Sequence, residues 1–191
     1  MAHFSIIGTG NMGQAIAAVV GKGGNSVELI GSSDADKQVT GDVVVLAVPY
    51  PAVADVLAAR GDSLAGKVVV DITNPLDFAT FDSLTVPADS SAAAEIATAL
   101  PQSRVLKAFN TNFAGTLAAG AIGSLPTTVL IAGDDADAKA LLAGIVTAGG
   151  LRAVDAGSLR RARELEAIGF LQLTLAASEK ISWTGGFGLV D

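Results

Sequence analysis

Gly8, Gly10 and Gly13 stand at G-x-G-x-x-G spacing, directly after the apolar residues Phe4, Ile6 and Ile7 and directly before Ile16, Ala17, Val19 and Val20. That arrangement can hold a diphosphate without any reactive side chain. Gly8 permits a tight turn, Gly10 lets the backbone approach the ligand with no Cβ in the way, and Gly13 lets a following helix pack close to the strand. The N–H groups at the helix start, backed by its macrodipole, then face the negative charge. With Thr9, Asn11 and Met12 these glycines form a candidate pyrophosphate loop. In a chain with 22 glycines the spacing alone carries little weight. The strand before it and the helix after it give it meaning.

Further candidates lie where other apolar runs end. The second run closes with Ile30-Gly31-Ser32-Ser33. An acidic residue there would accept hydrogen bonds from both ribose hydroxyls and repel a 2′-phosphate. A glycine followed by two hydroxyls, with Lys37 near in sequence, points instead to NADP. Ala47, Val48 and Pro49 close the run 42–48 and offer a small apolar wall for a ribose or nicotinamide, with Pro49 and Pro51 stiffening the exit. Asn74, before Pro75, can hydrogen-bond a carboxamide or ribose, or simply initiate a turn. His3, the one histidine, begins the first strand at the opposite end from these residues and carries no expected role.

The elements that must position these residues alternate. Strands are expected at 3–8, 26–31, 42–48, 67–71, 104–109, 127–132 and 151–155. Helices are expected at 12–21, 51–59, 91–99, 112–119, 135–148 and 158–179. Such alternation means βαβ units and a mainly parallel sheet of Rossmann type. Only about ten residues separate the second run from the third, and a crossover needs roughly a dozen. A helix and a strand are therefore expected to be missing after the second strand, leaving a shortened first half whose sheet ends there. Residues 76–89 read as a long ordered loop and a wall of the site. Residues 1–157 form the dinucleotide-binding unit. Residues 158–191 form a small C-terminal helical extension that completes the cleft or a homodimer interface, its helix carrying Leu165, Ile168, Leu171 and Leu175 at helical spacing.

Composition narrows the class. Half of the 191 residues are hydrophobic but only 5% are aromatic, so the core is built of Ala, Val, Ile and Leu, as in a buried parallel sheet. A net charge of −7 argues against nucleic acid as a partner. The absence of Cys excludes disulfides and thiolate metal sites and fits the cytoplasm. No metal site and no membrane span is expected.

Gly8 to Gly13, Gly31-Ser32-Ser33, Ala47-Val48-Pro49, Val70 to Pro75, Val105 to Thr111 and Asp155-Ala156-Gly157 together resemble the NADP-dependent coenzyme F420 reductases. The resemblance extends to short bacterial dinucleotide-binding oxidoreductases and to the cytosolic domains of ferric reductases. It implies NADPH as one substrate and a small-molecule redox partner, coenzyme F420 or a flavin, as the other. In that family the glycine loop takes the pyrophosphate, the Ser pair takes the 2′-phosphate, and the Ala-Val-Pro and Asn-Pro turns line the ribose and nicotinamide. The implied reaction is direct hydride transfer between stacked rings, which needs orientation and exclusion of water more than acid–base side chains. Asn110 and Thr111 are then the candidates to hydrogen-bond the acceptor ring. Lys107 could stabilise charge on a reduced ring or form an ion pair, and Asn112 could cap the next helix. The chain departs from the family in lacking an Arg in the second-strand Ser motif and in carrying Asn110 where His is frequent. Reduction of a small carbonyl or imine, as in pyrroline-carboxylate reductases, and a non-catalytic dinucleotide sensor are the alternatives.

Overall fold

Runs of β-branched residues make the centre of the molecule. The computed structural model describes residues 1–190. In it β1 (His3–Ile7), β3 (Val43–Leu46) and β4 (Val68–Asp71) lie side by side, β3 and β4 buried along their whole length. Strands covered on both faces have no solvent side, so they read as continuous apolar runs rather than alternating ones. Each fully buried Val, Leu or Ile contributes roughly 1.5–3 kcal/mol relative to exposure. The polar exceptions at the strand ends are therefore informative: Asp71, and Lys107 on β5 (Arg104–Lys107), both completely buried.

The seven-stranded sheet runs β2-β1-β3-β4-β5-β8-β9, with β2 (Ser26–Ile30) at one edge and β9 (Arg152–Gly157) at the other. α1 (Asn11–Lys22), α4 (Ala114–Ala119) and α5 (Ala136–Ala148) cover one face around Phe4, Ile6, Ile16, Leu117 and Leu142. α2 (Val53–Leu64) and α3 (Ala92–Ala99) cover the other around Ile7, Val44, Leu64 and Ile96. α6 (Ala162–Ala177) packs beside α3.

The sheet ends at β2, as the short connection requires. Residues 31–42 cross one face without regular structure, dropping Val39 into the core. α2 supplies what the missing elements would have: Arg60 donates to the carbonyls of Asp34 at 2.6 Å, Ala35 at 3.2 Å and Lys37 at 2.5 Å. That guanidinium satisfies backbone groups that a helix would have paired internally.

The parallel pattern breaks once. β8 (Thr128–Gly133) runs antiparallel to β5, and β9 is parallel to β8. Only α4 and the hairpin β6 (Ala121–Ile122) and β7 (Leu125–Pro126) separate β5 from β8. A six-residue helix spans about 9 Å, too little to return the chain to the start of the sheet. β8 therefore enters from beyond the end of β5, and its last residues, Ala132 and Gly133, pair with Lys107 and Leu106.

Candidate active site

The three glycines serve three different purposes. Gly8 has φ +122°, and a Cβ on it would lie 2.1 Å from the Ala47 carbonyl oxygen. A Cβ on Gly13 would lie 2.1 Å from the Gly8 carbonyl oxygen, so α1 rests directly on the loop. Gly10 is different: a Cβ there would meet nothing within 4 Å. Its lack of a side chain is not demanded by packing; it leaves open space in front of the first turn of α1. Gly10 is also the residue that precedes α1, and no side chain caps that helix, whereas Ser91 and Asp135 cap α3 and α5. The first N–H groups of α1 thus face exposed Thr9, Gly10 and Asn11 with no side-chain acceptor, a fit for a diphosphate. Met12 is half-buried against the core below.

At the end of β2, Ser32 and Ser33 are exposed. Lys37 is drawn away from them: its ammonium donates to the Leu29 carbonyl at 2.9 Å and lies 3.8 Å from Glu28. Asp34 accepts from the Gly31 N–H at 2.7 Å, and the space beside Gly31 is bounded by Asp34 and Thr9. A carboxylate therefore stands close to the two serines.

β3 and β4 deliver the next residues. The Ala47 N–H continues the ladder to Ile7 at 2.8 Å, setting half-buried Ala47 and Val48 and exposed Pro49 beside the glycine loop. Asn74 follows β4 and precedes buried Pro75. Beyond it, residues 76–89 form an ordered loop closed by a Leu76–Leu84 bridge, with Phe78 and Phe81 edge to face at 5.7 Å.

Two residues beyond β5 stands a left-handed Phe109 (φ +61°), buried at the strand exit. Such a conformation costs a non-glycine residue of order 1–3 kcal/mol and persists only where surroundings impose it. Here it turns the chain so that Asn110 meets Asn74. Asn74 Nδ2 donates to the Asn110 carbonyl at 2.8 Å, and Asn110 Nδ2 donates to Asn74 Oδ1 at 2.9 Å and to the Leu165 carbonyl at 2.8 Å. The amide orientation follows from these partners, since the reverse would face oxygen with oxygen. Asn110 has therefore spent its donors within the protein, and Asn110 Oδ1 is a buried acceptor with no partner. Neither hydrogen of the Asn110 amide is left to donate to a bound ring. Thr111 turns elsewhere: its carbonyl accepts from Gln172 at 3.1 Å, and it lines a separate cavity of about 210 Å³ with Ile168 and Phe187. Asn112 does not cap α4, which follows Phe113; its amide donates to the Thr128 carbonyl at 3.0 Å.

Lys107 forms an ion cluster beneath these turns. Its ammonium reaches Asp71 at 2.7 Å and Glu166 at 2.8 Å and donates to the Thr73 carbonyl. Glu166 also accepts from the Ala92 N–H at 2.9 Å and the Ala93 N–H at 3.3 Å, at the start of α3. Burial pushes the Glu166 carboxyl above its ordinary range, against the pull of Lys107. Nearby, Tyr50 donates to Glu95, and burial together with that carboxylate raises the phenol well above its usual value.

The buried face of α6 differs from the one its leucines suggest. Ile168 and Leu171 are exposed, whereas Glu166, Gly169 and Gln172 are buried. A Cβ on Gly169 would lie 2.3 Å from Asn74 Oδ1, so the helix backbone is flush against that amide. Gln172 ties the Thr111 carbonyl to the Phe187 N–H of the tail. Between the glycine loop, these strand ends, α4 and the tail lies a cavity of about 440 Å³, lined by Met12, Asn74, Asn110, Phe113 and Trp183 among others. A larger cavity of about 740 Å³ sits by the end of α2 and the residues leading into β5, on the side where the strands β3 to β5 begin, away from the glycine loop. Among the described residues no cluster of His, Cys, Asp and Glu could hold a metal, and no helix is long and apolar enough to cross a membrane.

A mostly parallel α/β sheet with an open glycine loop at the end of its first strand defines a Rossmann-type fold. Comparison with known proteins narrows it. Residues 32–75 match the family described as NADP oxidoreductase coenzyme F420-dependent. The chain is 31% identical over 166 residues to the F420-dependent NADP reductase of Methanocaldococcus jannaschii, across 85% of this chain and 74% of that protein. A solved structure from Arthrobacter sp. FB24, provisionally named an F420-dependent NADP reductase, superposes with a TM-score of 0.87 at 24% identity, over 100% of both chains. An imine reductase from Bacillus cereus shares the fold at a TM-score of 0.64 and 20% identity, over 95% of this chain and 63% of that one. The chain belongs to the F420-dependent NADP reductase family and is an oxidoreductase.

Proposed function

We propose that the protein transfers a hydride between NADPH and the ring of a second small-molecule redox partner, coenzyme F420 or a flavin. The observation that carries this reading is the uncapped start of α1 behind Gly10, an anion cradle with room for a pyrophosphate and no packing reason to be a glycine. Ser32 and Ser33 would receive the 2′-phosphate, and Ala47, Val48, Pro49, Asn74 and Pro75 would line the ribose and nicotinamide. The chemistry is self-contained. With both rings bound, NADPH would give up the hydride of its C4–H bond to C5 of a deazaflavin, as a new C–H bond, or to N5 of a flavin, as a new N–H bond, leaving NADP⁺, and a solvent proton would complete the reduced ring. The residues of this chain bind, orient and shield the two rings. In this reading residues 158–191 are part of the site rather than an appendage, because Glu166 and Gly169 brace Asp71 to Asn74 from behind; Asp191 lies outside the described residues.

The test follows NADPH absorbance with oxidised F420, FMN, FAD and a small cyclic imine offered in turn, and repeats each with NADH. Oxidation of NADPH by F420 or a flavin is expected. Binding of NADPH with reduction of none of the three ring acceptors refutes the reading, and turnover of the imine alone favours the carbonyl or imine reductase.

A further inference from the structure

We propose that Trp183 is the stacking platform for the hydride acceptor, closing the 440 Å³ cavity on the side away from the glycine loop. This rests on the reading above. The cavity has two unlike ends. At one, Met12 and Asn74 belong to the elements that border the glycine loop. At the other, Trp183 and Thr184 come from the tail. Its volume is that of a small-molecule site, with room for more than a nicotinamide ring.

Trp183 is placed as a platform. It leans on Phe113 with ring centroids 5.0 Å apart and planes at 57°, yet 54% of it is exposed. An indole braced on one side and open on the other has a free π face, and such faces hold planar heteroaromatic rings in offset stacks. The tail that carries it is fixed. The Phe187 N–H donates to Gln172 at 3.3 Å, and Gln172 donates to the Thr111 carbonyl. The Trp183 backbone lies against the start of α4, where a Cβ on Gly115 would be 3.0 Å from the Trp183 carbonyl oxygen and 2.9 Å from the Thr184 methyl. Gly115 thus admits the tail to the mouth of the cavity. A second observation points to a ligand in the same place. Asn110 and Asn112 both line the cavity, and each has a side-chain oxygen that is buried without a partner. Those acceptors suit a ring that carries N–H donors.

Trp183→Ala and Trp183→Phe separate this role from others. With Trp183→Ala, the Kd of oxidised F420 or FMN for NADP⁺-loaded protein, read by calorimetry, is expected to rise about 3- to 10-fold, and the acceptor KM with it. The Kd for NADPH stays as in the wild type, and the melting temperature falls by only about 1–6 °C for the lost Phe113 contact. Trp183→Phe keeps an aromatic face and stays within about twofold. An unchanged acceptor Kd in Trp183→Ala, while the wild type still reduces that acceptor, overturns the proposal and leaves the hydride-transfer reading intact. A raised NADPH Kd with an unchanged acceptor Kd also overturns it, by assigning the platform to the nicotinamide. Failure of the wild type to bind or reduce any ring acceptor removes the hydride-transfer reading itself.

Discussion

Replacing Lys107 by Met tests the cluster that holds the site from below. The ammonium sits 2.7 Å from Asp71 and 2.8 Å from Glu166, and all three side chains are at most 1% exposed. Met preserves most of the volume, so the loss is electrostatic. Two carboxylates remain in a dry interior with no cation, and the Thr73 carbonyl loses its donor. Breaking a buried ion pair from one side costs about 3–5 kcal/mol. Set against a total of roughly 5–15 kcal/mol, that is a large share of stability. For a chain of this size it lowers the melting temperature by roughly 6–20 °C. The deficit should depend on pH, with a definite sign. Burial already holds Glu166 above its unfolded value, and Lys107 is the leading influence pulling it down. Without Lys107 the folded-state value rises further. A carboxyl with a raised folded value contributes stability that is present at low pH and lost as pH rises through that value. Urea denaturation of Lys107→Met should therefore show a small deficit at pH 5 and the full one at pH 8. Adding Glu166→Gln should recover part of the loss at pH 8. A deficit equal at both pH values, or no deficit, refutes the electrostatic account.

Gly10→Ala and Gly13→Ala should separate binding from folding. The first adds a methyl where nothing lies within 4 Å, so the melting temperature holds while the Kd for NADPH rises roughly tenfold or more by calorimetry. The second forces a methyl to 2.1 Å from the Gly8 carbonyl and should cost about 1–3 kcal/mol in urea denaturation. Arg60→Ala strips donors from three carbonyls of the short connection. It should cost about 1–3 kcal/mol by denaturation and weaken NADPH binding through the displaced serines. Asp34→Asn keeps an acceptor for the Gly31 N–H but removes a negative charge beside Ser32 and Ser33. The NADPH-to-NADH ratio of kcat/KM should rise; a fall would mean that the 2′-phosphate does not sit there.

What could be read from the residues, and what could not, divides by the range of the interaction. β3 and β4 were legible because Val43 to Leu46 and Val68 to Val70 are apolar at every position, which only a strand buried on both faces requires. The truncated first half was legible by length alone. The glycine loop was legible as a pattern, although the pattern does not separate Gly13, which packing demands, from Gly10, which it does not. Arg60 left no local signal, since an arginine in an amphipathic helix looks like any solvated residue until the carbonyls it serves are known. α6 shows the limit most plainly. The spacing of Leu165, Ile168, Leu171 and Leu175 marks an apolar stripe, yet the helix turns Glu166, Gly169 and Gln172 inward. Hydrophobic periodicity predicts the buried face only when burial is driven by apolar area. Here the orientation is set by partners distant in sequence: Lys107 for Glu166, the Asn74 amide for Gly169, and the Thr111 carbonyl for Gln172. Each of those partners sits at the end of β4 or β5, where the site is. The helix that breaks the hydrophobic rule is therefore the one that braces the site, and its exposed Ile168 and Leu171 follow from that commitment.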